Sequence, residues 1–573
     1  MRRTSRHASA VRILFLAAAL VVPSQQALAS VVRQKSGEAD KFVQKGNDSL
    51  RKTKWLDAAE NFRKAVRSNP NHVEANYGLG VAHMGLKQWN DALAAFSEVV
   101  RLRPNPRVQD ALRNTALIYY DQQRFKESAE NFEQALQLGE IPPNNSHFLG
   151  LDYIRLERWR DAVTAFARAV SDPKVAAEAY VNSGYAHLRL NEKQEALADL
   201  EKGLSLSPGN PLAFILLGNT YFLLDRYDDA LIALRKGTTA DPRNPAGFFW
   251  LGATLEALRQ RDEAALALEA SLRLNPQFDG AKYMLGVVYT QLNRYQEALS
   301  LFEQVMRSNP EIPDPLVGMC DIYYAQGNYM AMLTTAQQAV RLAPQSALAQ
   351  SELALAHSMP GNMKEAEAAA REGVRLGPDK YWAHYILAFL LVRNDRAQEA
   401  LAEAREAVRL SPARASTLDV LGYVLNQAGQ NEEALAVSQQ ALAAPHDPSE
   451  EGLAHYNLAT AYLGLKRRDE ALESYRRSLI AYQQLKRSLD PDELYLMGTA
   501  YLRLDQDELA VSAFRQATKL RPSFAQAHYN LGLSYFATED RKSALAEYNI
   551  LKTLDPERAK KLYAVINDKP ARK

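Results

Sequence analysis

Apolar positions along this chain return with a period of 34 residues, most plainly in Asp279–Ile312, DGAKYMLGVVYTQLNRYQEALSLFEQVMRSNPEI. Leu285, Gly286 and Tyr289 share one face of a first helix. Ala298, Phe302 and Val305, at i, i+4 and i+7, share one face of a second. Pro310 closes the second helix, because proline lacks the N–H a helix needs and restrains the residue before it. The spacing predicts a helical hairpin, repeated.

Numbering each repeat so that Gly286 is position 8 puts a small residue at that position fifteen times, from Gly46 and Gly80 through Cys320 to Gly532. Position 20 is Ala in thirteen of the fifteen, with Ser128 and Met332 the exceptions, and position 32 is Pro in eleven. A glycine costs about 1 kcal/mol inside a helix, so ten of them at one register require a reason. Close approach of the two helices supplies it, with large residues at positions 7, 11 and 24 filling the space around the contact. Position 17 is often aromatic (Trp55, Trp89, Phe125, Trp159) and opens the second helix. An acid two residues later, such as Asp57 or Asp161, suits that helix's positive end.

The pattern Leu-Gly-x-x-Tyr, Ala-x-x-x-Phe, Pro at this period resembles the tetratricopeptide repeat over Ala39–Glu557. The resemblance implies an all-α fold, an α-solenoid of stacked helix-turn-helix repeats in a right-handed superhelix. The family's frequent Trp at position 4 is missing, and Lys282 stands there. Eight strict periods run from Gly150 to Gly422, whereas the steps Gly80–Ala116, Gly422–Ala459 and Ala459–Gly498 are 36, 37 and 39 residues. The expected organisation is a leader at 1–29, a linker at 30–38, two repeats at 39–106, ten at 107–448, three at 449–557, and a capping helix with a basic tail at 558–573. The two C-terminal insertions are expected to bend the array at these turn-rich sites.

Composition changes the picture little. Apolar residues make up 47% and charged residues 24%, as in a folded soluble protein, and the net charge of +2 gives no field toward nucleic acid. One cysteine excludes an internal disulfide framework. The N-terminus does change it. Arg2, Arg3, Arg6 and Arg12 precede the apolar run Ile13–Val22, and Ala27-Leu28-Ala29 offers a small-residue cleavage site. This reads as a Sec-type secretory signal, cleaved after Ala29 or kept as an anchor, for a periplasmic or secreted protein.

No phosphate-binding loop, His-Glu-x-x-His or Gly-x-Ser-x-Gly motif occurs, so no enzyme, cofactor or metal is expected. His83, His187 and His357 fall at position 11 as core or half-core residues, and Cys320 reads as a buried filler whose volume Met332 compensates. In proteins with similar repeats, first-helix positions 2, 5, 9 and 12 line the groove that holds a peptide. Here aromatics are common on that face, and the candidates for partner binding are Trp382, Tyr385, Phe389 and Tyr423, with Tyr283 and Phe249. The positively charged set that clamps a peptide carboxylate in some relatives is absent from positions 2 and 5 apart from Arg113. An asparagine ladder at position 6 is present in Asn114, Asn182, Asn457 and Asn530 but broken by Leu216, Trp250, Met284, Ile386 and Val420. The expected function is a non-catalytic scaffold binding a protein or peptide. The alternative is a structural bridge in a cell-envelope assembly for polysaccharide export or secretion, peripherally associated with that complex. Neither nucleic acid nor a small-molecule substrate is expected.

Overall fold

The computed structural model describes residues 25–485 and 489–568. They form thirty-one α-helices, numbered α1 to α31 in chain order, and no strand is present among the described residues. Thirty of them pair into fifteen hairpins, from α1 (Gln25–Arg51) with α2 (Trp55–Ser68) to α29 (Ala525–Ala537) with α30 (Arg541–Leu554). Each hairpin packs internally, and within residues 25–240 and again within residues 245–554 each packs against the next, which is the arrangement of an α-solenoid. The last helix, α31 (Pro556–Asp568), buries Ala559, Leu562 and Ile566 against the final hairpin. Residues 1–24 of the expected leader lie outside the described residues. The segment 30–38, expected as a linker, is helical and continues into the first repeat as part of α1.

The close-approach register is explained by what fills it. A Cβ at Gly150 would stand 2.5 Å from the Phe166 ring, and one at Gly286 would stand 2.6 Å from Phe302. Both rings and the position-20 alanines Ala162 and Ala298 are fully buried. In most repeats position 8 is therefore small because position 24 of the same hairpin inserts a ring or a leucine over it, whereas Gly422 faces Ser438 and Gly532 is covered by Leu562 of α31. Repeats nine to eleven solve the same contact with small residues on both sides, Cys320 with Ala336, Ala354 with Ala370 and Ala388 with Ala404, all fully buried. Met332 sits in one apolar cluster with Cys320 and Ala336, filling the volume these small residues leave.

The position-17 aromatics do open the second helices: Trp55, Trp89, Phe125 and Trp159 are each the first residue of one. The acid two residues on has a partner as well as a helix end. Arg158 donates to Asp161 at 2.7 Å and lies 4.3 Å over Tyr153, and Arg294 repeats this with Glu297 and Tyr289. One feature of the turn is only partly marked in the sequence, where eight of the fifteen residues at position 15 are Gly, Asn or Asp. The residue at position 15 takes a left-handed conformation in every repeat, and in twelve it is not glycine, for example Glu157 (φ 58°), Arg259 (φ 60°) and Asp395 (φ 58°). That conformation lets the following N–H reach back to close the helix, as Arg158 N–H does to Tyr153 O at 2.8 Å.

The helices divide into two compact units, Met1–Pro242 and Arg243–Lys573. The division falls between α12 (Tyr227–Ala240) and α13 (Pro245–Ala257), within the segment expected as the ten-repeat middle block. The insertions expected to bend or hinge the array lie in the second unit. They lengthen α25 (Pro448–Gly464) and α26 (Arg468–Gln483), and α25 packs on both helices of the preceding hairpin. Both insertions end in the same tetrad, Asp447-Pro448-Ser449-Glu450 and Asp490-Pro491-Asp492-Glu493. In each, the aspartate caps the helix and the glutamate reaches back to it. Residues 486–488 lie outside the described residues.

Candidate interaction surface

In the first unit, position 5 of one first helix meets position 6 of the next. Asn114 on α5 (Val108–Asp121) donates to the Tyr77 hydroxyl on α3 (Val73–Gly85) at 3.2 Å. Asn182 on α9 (Ala176–Arg189) stands 3.5 Å from His147 Nε2 on α7 (Pro143–Arg155). Burial lowers the His147 pKa, which keeps the ring neutral and able to accept. Asn530 bonds Tyr495, and Asn457 donates to the Asp419 carbonyl at 2.9 Å in the second unit. The four asparagines of the partial ladder are thus engaged with the preceding repeat. Beside them in the first unit stand half-buried side chains with polar ends toward the inner face. The Arg107 guanidinium lies 4.8 Å over Tyr77, and Tyr185 accepts from Arg189 at 3.3 Å.

Three of the six candidate aromatics come together. Tyr385 and Phe389 of α21 (Tyr381–Arg393) and Tyr423 of α23 (Ala415–Gln427) pack half-buried on one apolar cluster, with the Arg393 guanidinium 5.3 Å over Phe389. Trp382 is half-buried on the same helix but is not part of that cluster. Phe249 packs at a tilt against Phe278, with ring centroids 5.0 Å apart, and Tyr283 packs 5.8 Å from Phe302. Burial, with Asp314, Asp321 and Glu352 nearby, pushes the Tyr283 hydroxyl up to about 12.

Around the aromatic cluster the second unit collects charged groups that are not among the sequence candidates. Burial raises the Tyr385 hydroxyl, reinforced by Asp419, Glu450, Asp490 and Asp492. Asp419 is only 1% exposed, neither carboxylate oxygen has a hydrogen-bond partner, and burial drives its pKa well up. A buried unpaired carboxylate avoids its desolvation cost by keeping its proton. Asp492 is the opposite case. Burial would raise it, but Arg393 and Arg521 outweigh burial, and Arg521 donates to it at 2.6 and 2.9 Å. Two signals could have found these groups: Asp419 is an acid at a position that is mostly aromatic or aliphatic, and the Asp-Pro-x-Glu tetrad occurs at both insertions.

The remaining sequence candidates are internal. Cys320 is fully buried and its thiol is raised by burial, then by Glu352 and Asp321. His83 and His187 bond Gln88 at 2.6 Å and Glu192 at 2.7 Å within their own turns. At position 4, where the family's Trp is missing, Asn76, His384 and His528 reach back to the carbonyls of Pro70, Pro378 and Pro522. Among the described residues, no group of three or more His, Cys, Asp or Glu is placed to hold a metal, and no helix is long and apolar enough to cross a membrane.

Tetratricopeptide repeat family models match residues 43–105, 82–145, 149–211, 251–311, 360–415 and 420–485, and in a second form 187–247 and 290–356. A TPR repeat model matches residues 498–538. A comparison with curated proteins returned no match. Among solved structures, a chain of the crystal structure of the APC/C hetero-tetramer Cut9–Hcn1 is similar, with a TM-score of 0.55 at 14% identity over 87% of this chain and 96% of that one. Yeast Tom70 aligns with a TM-score of 0.36 at 15% identity, over 70% of this chain and 97% of that one.

Proposed function

The chain belongs to the tetratricopeptide repeat family, and on that premise we propose that it is a non-catalytic scaffold holding a protein or peptide segment along the inner face of its first helices. The observation that carries this reading is the inner face of repeats two to five. There Tyr77, His147 and Tyr185 stand half-buried or buried at groove positions, braced by Asn114, Asn182 and Arg189. Rings fixed by their neighbours lose little entropy when a partner covers them. Trp382, Tyr283 and Phe249 are the corresponding contact residues in the second unit. The basic, apolar and small-residue order of residues 2–29 supports work outside the cytoplasm. A photo-crosslinker at Tyr185 in native cells, read by mass spectrometry, should trap a client segment, and Tyr77→Ala should reduce the yield several-fold. N-terminal sequencing of the mature chain should begin at Ser30.

A second reading, a bridging component of an envelope assembly, is favoured by one observation. The aromatic cluster of the second unit is packed by the chain's own side chains, which suits a structural element. A stoichiometric complex at Tyr185 that Tyr77→Ala leaves intact would decide for this reading against the first.

A further inference from the structure

Within the second unit the chain returns to itself. Repeats thirteen to fifteen and α31 meet repeats seven to eleven at their turns and first-helix ends, three to six hairpins earlier. The Tyr324 hydroxyl, at the end of α17 (Asp314–Ala325), donates to Asp490 at 2.8 Å. Arg393 lies 3.9 Å from Asp492, and Arg521, 2% exposed at its side chain, donates to Met359 Sδ at 3.8 Å. Ser523 donates to the Pro360 carbonyl at 3.1 Å. Two of the left-handed turn residues reach across as well: Asp395 pairs with Arg558 at 3.0 Å, and Arg259 pairs with Glu450 at 3.0 Å and Asp447 at 3.3 Å.

Two properties set this contact apart from the packing between successive hairpins. It is made by side chains that reach across to side chains and to turn carbonyls: among the described residues, no helix of repeats thirteen to fifteen packs closely on a helix of repeats seven to eleven. It is also incompletely satisfied, because Arg393 Nη1 and Arg521 Nε are buried without a hydrogen-bond partner. Its outer pairs, Asp395–Arg558 and Arg259–Glu450, are part-exposed and individually weak, whereas Arg521 beside Asp492 is buried. It holds because its members act together while the intervening repeats keep them near one another.

We propose that repeats thirteen to fifteen and α31 form a latch over repeats seven to eleven, closed by Tyr324–Asp490, Arg393–Asp492, Asp395–Arg558 and Arg259–Glu450, and that opening it uncovers the aromatic cluster of Tyr385, Phe389 and Tyr423. What is uncovered matters for binding only if the scaffold reading holds; the latch itself does not depend on a partner. The two insertions acquire a purpose, since each ends in the Asp-Pro-x-Glu tetrad that supplies latch carboxylates. The latch also has a built-in sensitivity to protons. Burial, then Glu493 and Asp492, pushes Asp490 up to about 7. The groups facing it are Tyr324, Tyr329, Tyr385 and Tyr482, the cations Arg393 and Arg521, and the acids Asp492 and Glu493. Its pKa is raised in the closed state, so its contribution to closure is full at acidic pH and is lost as pH rises through about 7.

The test uses the full chain with spin labels at Met330→Cys and Leu509→Cys, positions 69% and 50% exposed in repeats nine and fourteen. Cys320 is buried and stays unlabelled. The labels should report one narrow distance at pH 6. The triple variant Tyr324→Phe, Arg259→Gly, Asp395→Gly keeps every hairpin, since glycine suits the two left-handed turns, and its helicity is checked by circular dichroism. It should populate longer distances, with the open fraction rising about tenfold over the three contacts together. Raising the pH to 8.5 should broaden the parent distribution but not that of Asp490→Asn, which still caps its helix. A triple variant with native helicity and an unchanged narrow distance overturns the latch. A pH response that survives Asp490→Asn overturns the assignment of the sensor. Neither measurement involves a partner, so each stands or fails separately from the scaffold reading.

Discussion

The two units are built from one repeat but close it differently. In the first unit each hairpin is keyed by a large side chain over a small one: Phe62 on Gly46, Phe96 on Gly80, Phe166 on Gly150, Leu200 on Gly184. In the second, repeats nine to eleven replace the key with alanine against alanine or cysteine, and the side chains that carry size move to the inner face as Tyr324, Tyr385 and Phe389. The first unit holds each hairpin through its own interior. The second adds contacts three to six hairpins apart, so its later repeats depend on its earlier ones. An array whose parts touch only their neighbours unfolds in steps, and the long-range contacts of the second unit should merge some of those steps.

The comparison can be broken most directly at the key. Phe166→Ala should cost the first unit about 3–5 kcal/mol, measured by urea denaturation with hydrogen exchange in α7 and α8 (Trp159–Ala169). A cost below about 1 kcal/mol would mean that the ring does not hold the hairpin. Buried acids give a smaller effect, with a sign that can be checked. Asp152 is fully buried and accepts from Ser128 at 2.6 Å, its other oxygen has no partner, and burial pushes it up to about 7. A raised carboxylate contributes stability below its unfolded pKa and loses it as pH rises through the folded value. The parent should therefore lose stability as pH rises from about 4 to 7 and level off above that, and Asp152→Asn should flatten the slope by about 1–3 kcal/mol. The smallest effect sharpens the contrast between units. Glu157→Gly, in a left-handed turn without a long-range partner, should stabilise by about 0.5–1 kcal/mol, because glycine adopts that conformation freely. Asp395→Gly has the same backbone gain but gives up its pairing with Arg558, so its net change should fall below that of Glu157→Gly. Equal gains would show that the Asp395–Arg558 pair contributes nothing.

Much of the fold was legible because the repeat is local. Gly286, Ala298 and Phe302 must meet within one hairpin, so their spacing along the chain already fixes which faces pack, and the aromatic at position 17 marks where the second helix begins. The turn was less legible: left-handed Glu157 and Arg259 carry no residue signature, since only the return of the chain onto itself requires that φ. The candidate surface was legible in outline. Helical spacing puts Trp382, Tyr385 and Phe389 on one face with Tyr423 in the next repeat, and in the structure Tyr385, Phe389 and Tyr423 share a cluster while Trp382 stands outside it. Their surroundings were not, because Asp490 lies about a hundred residues from Tyr385 in the chain, and no periodicity of 34 residues says which repeats meet after several steps.

The sequence by itself determined the hairpin, its number and its order, because each depends on contacts within and between neighbouring helices. Only the tertiary structure decided what the insertions do. Small rotations from repeat to repeat add up over five or six hairpins, and it is that sum which brings Asp490 to Tyr324 and Arg558 to Asp395. A sum of small angles is written in no single residue.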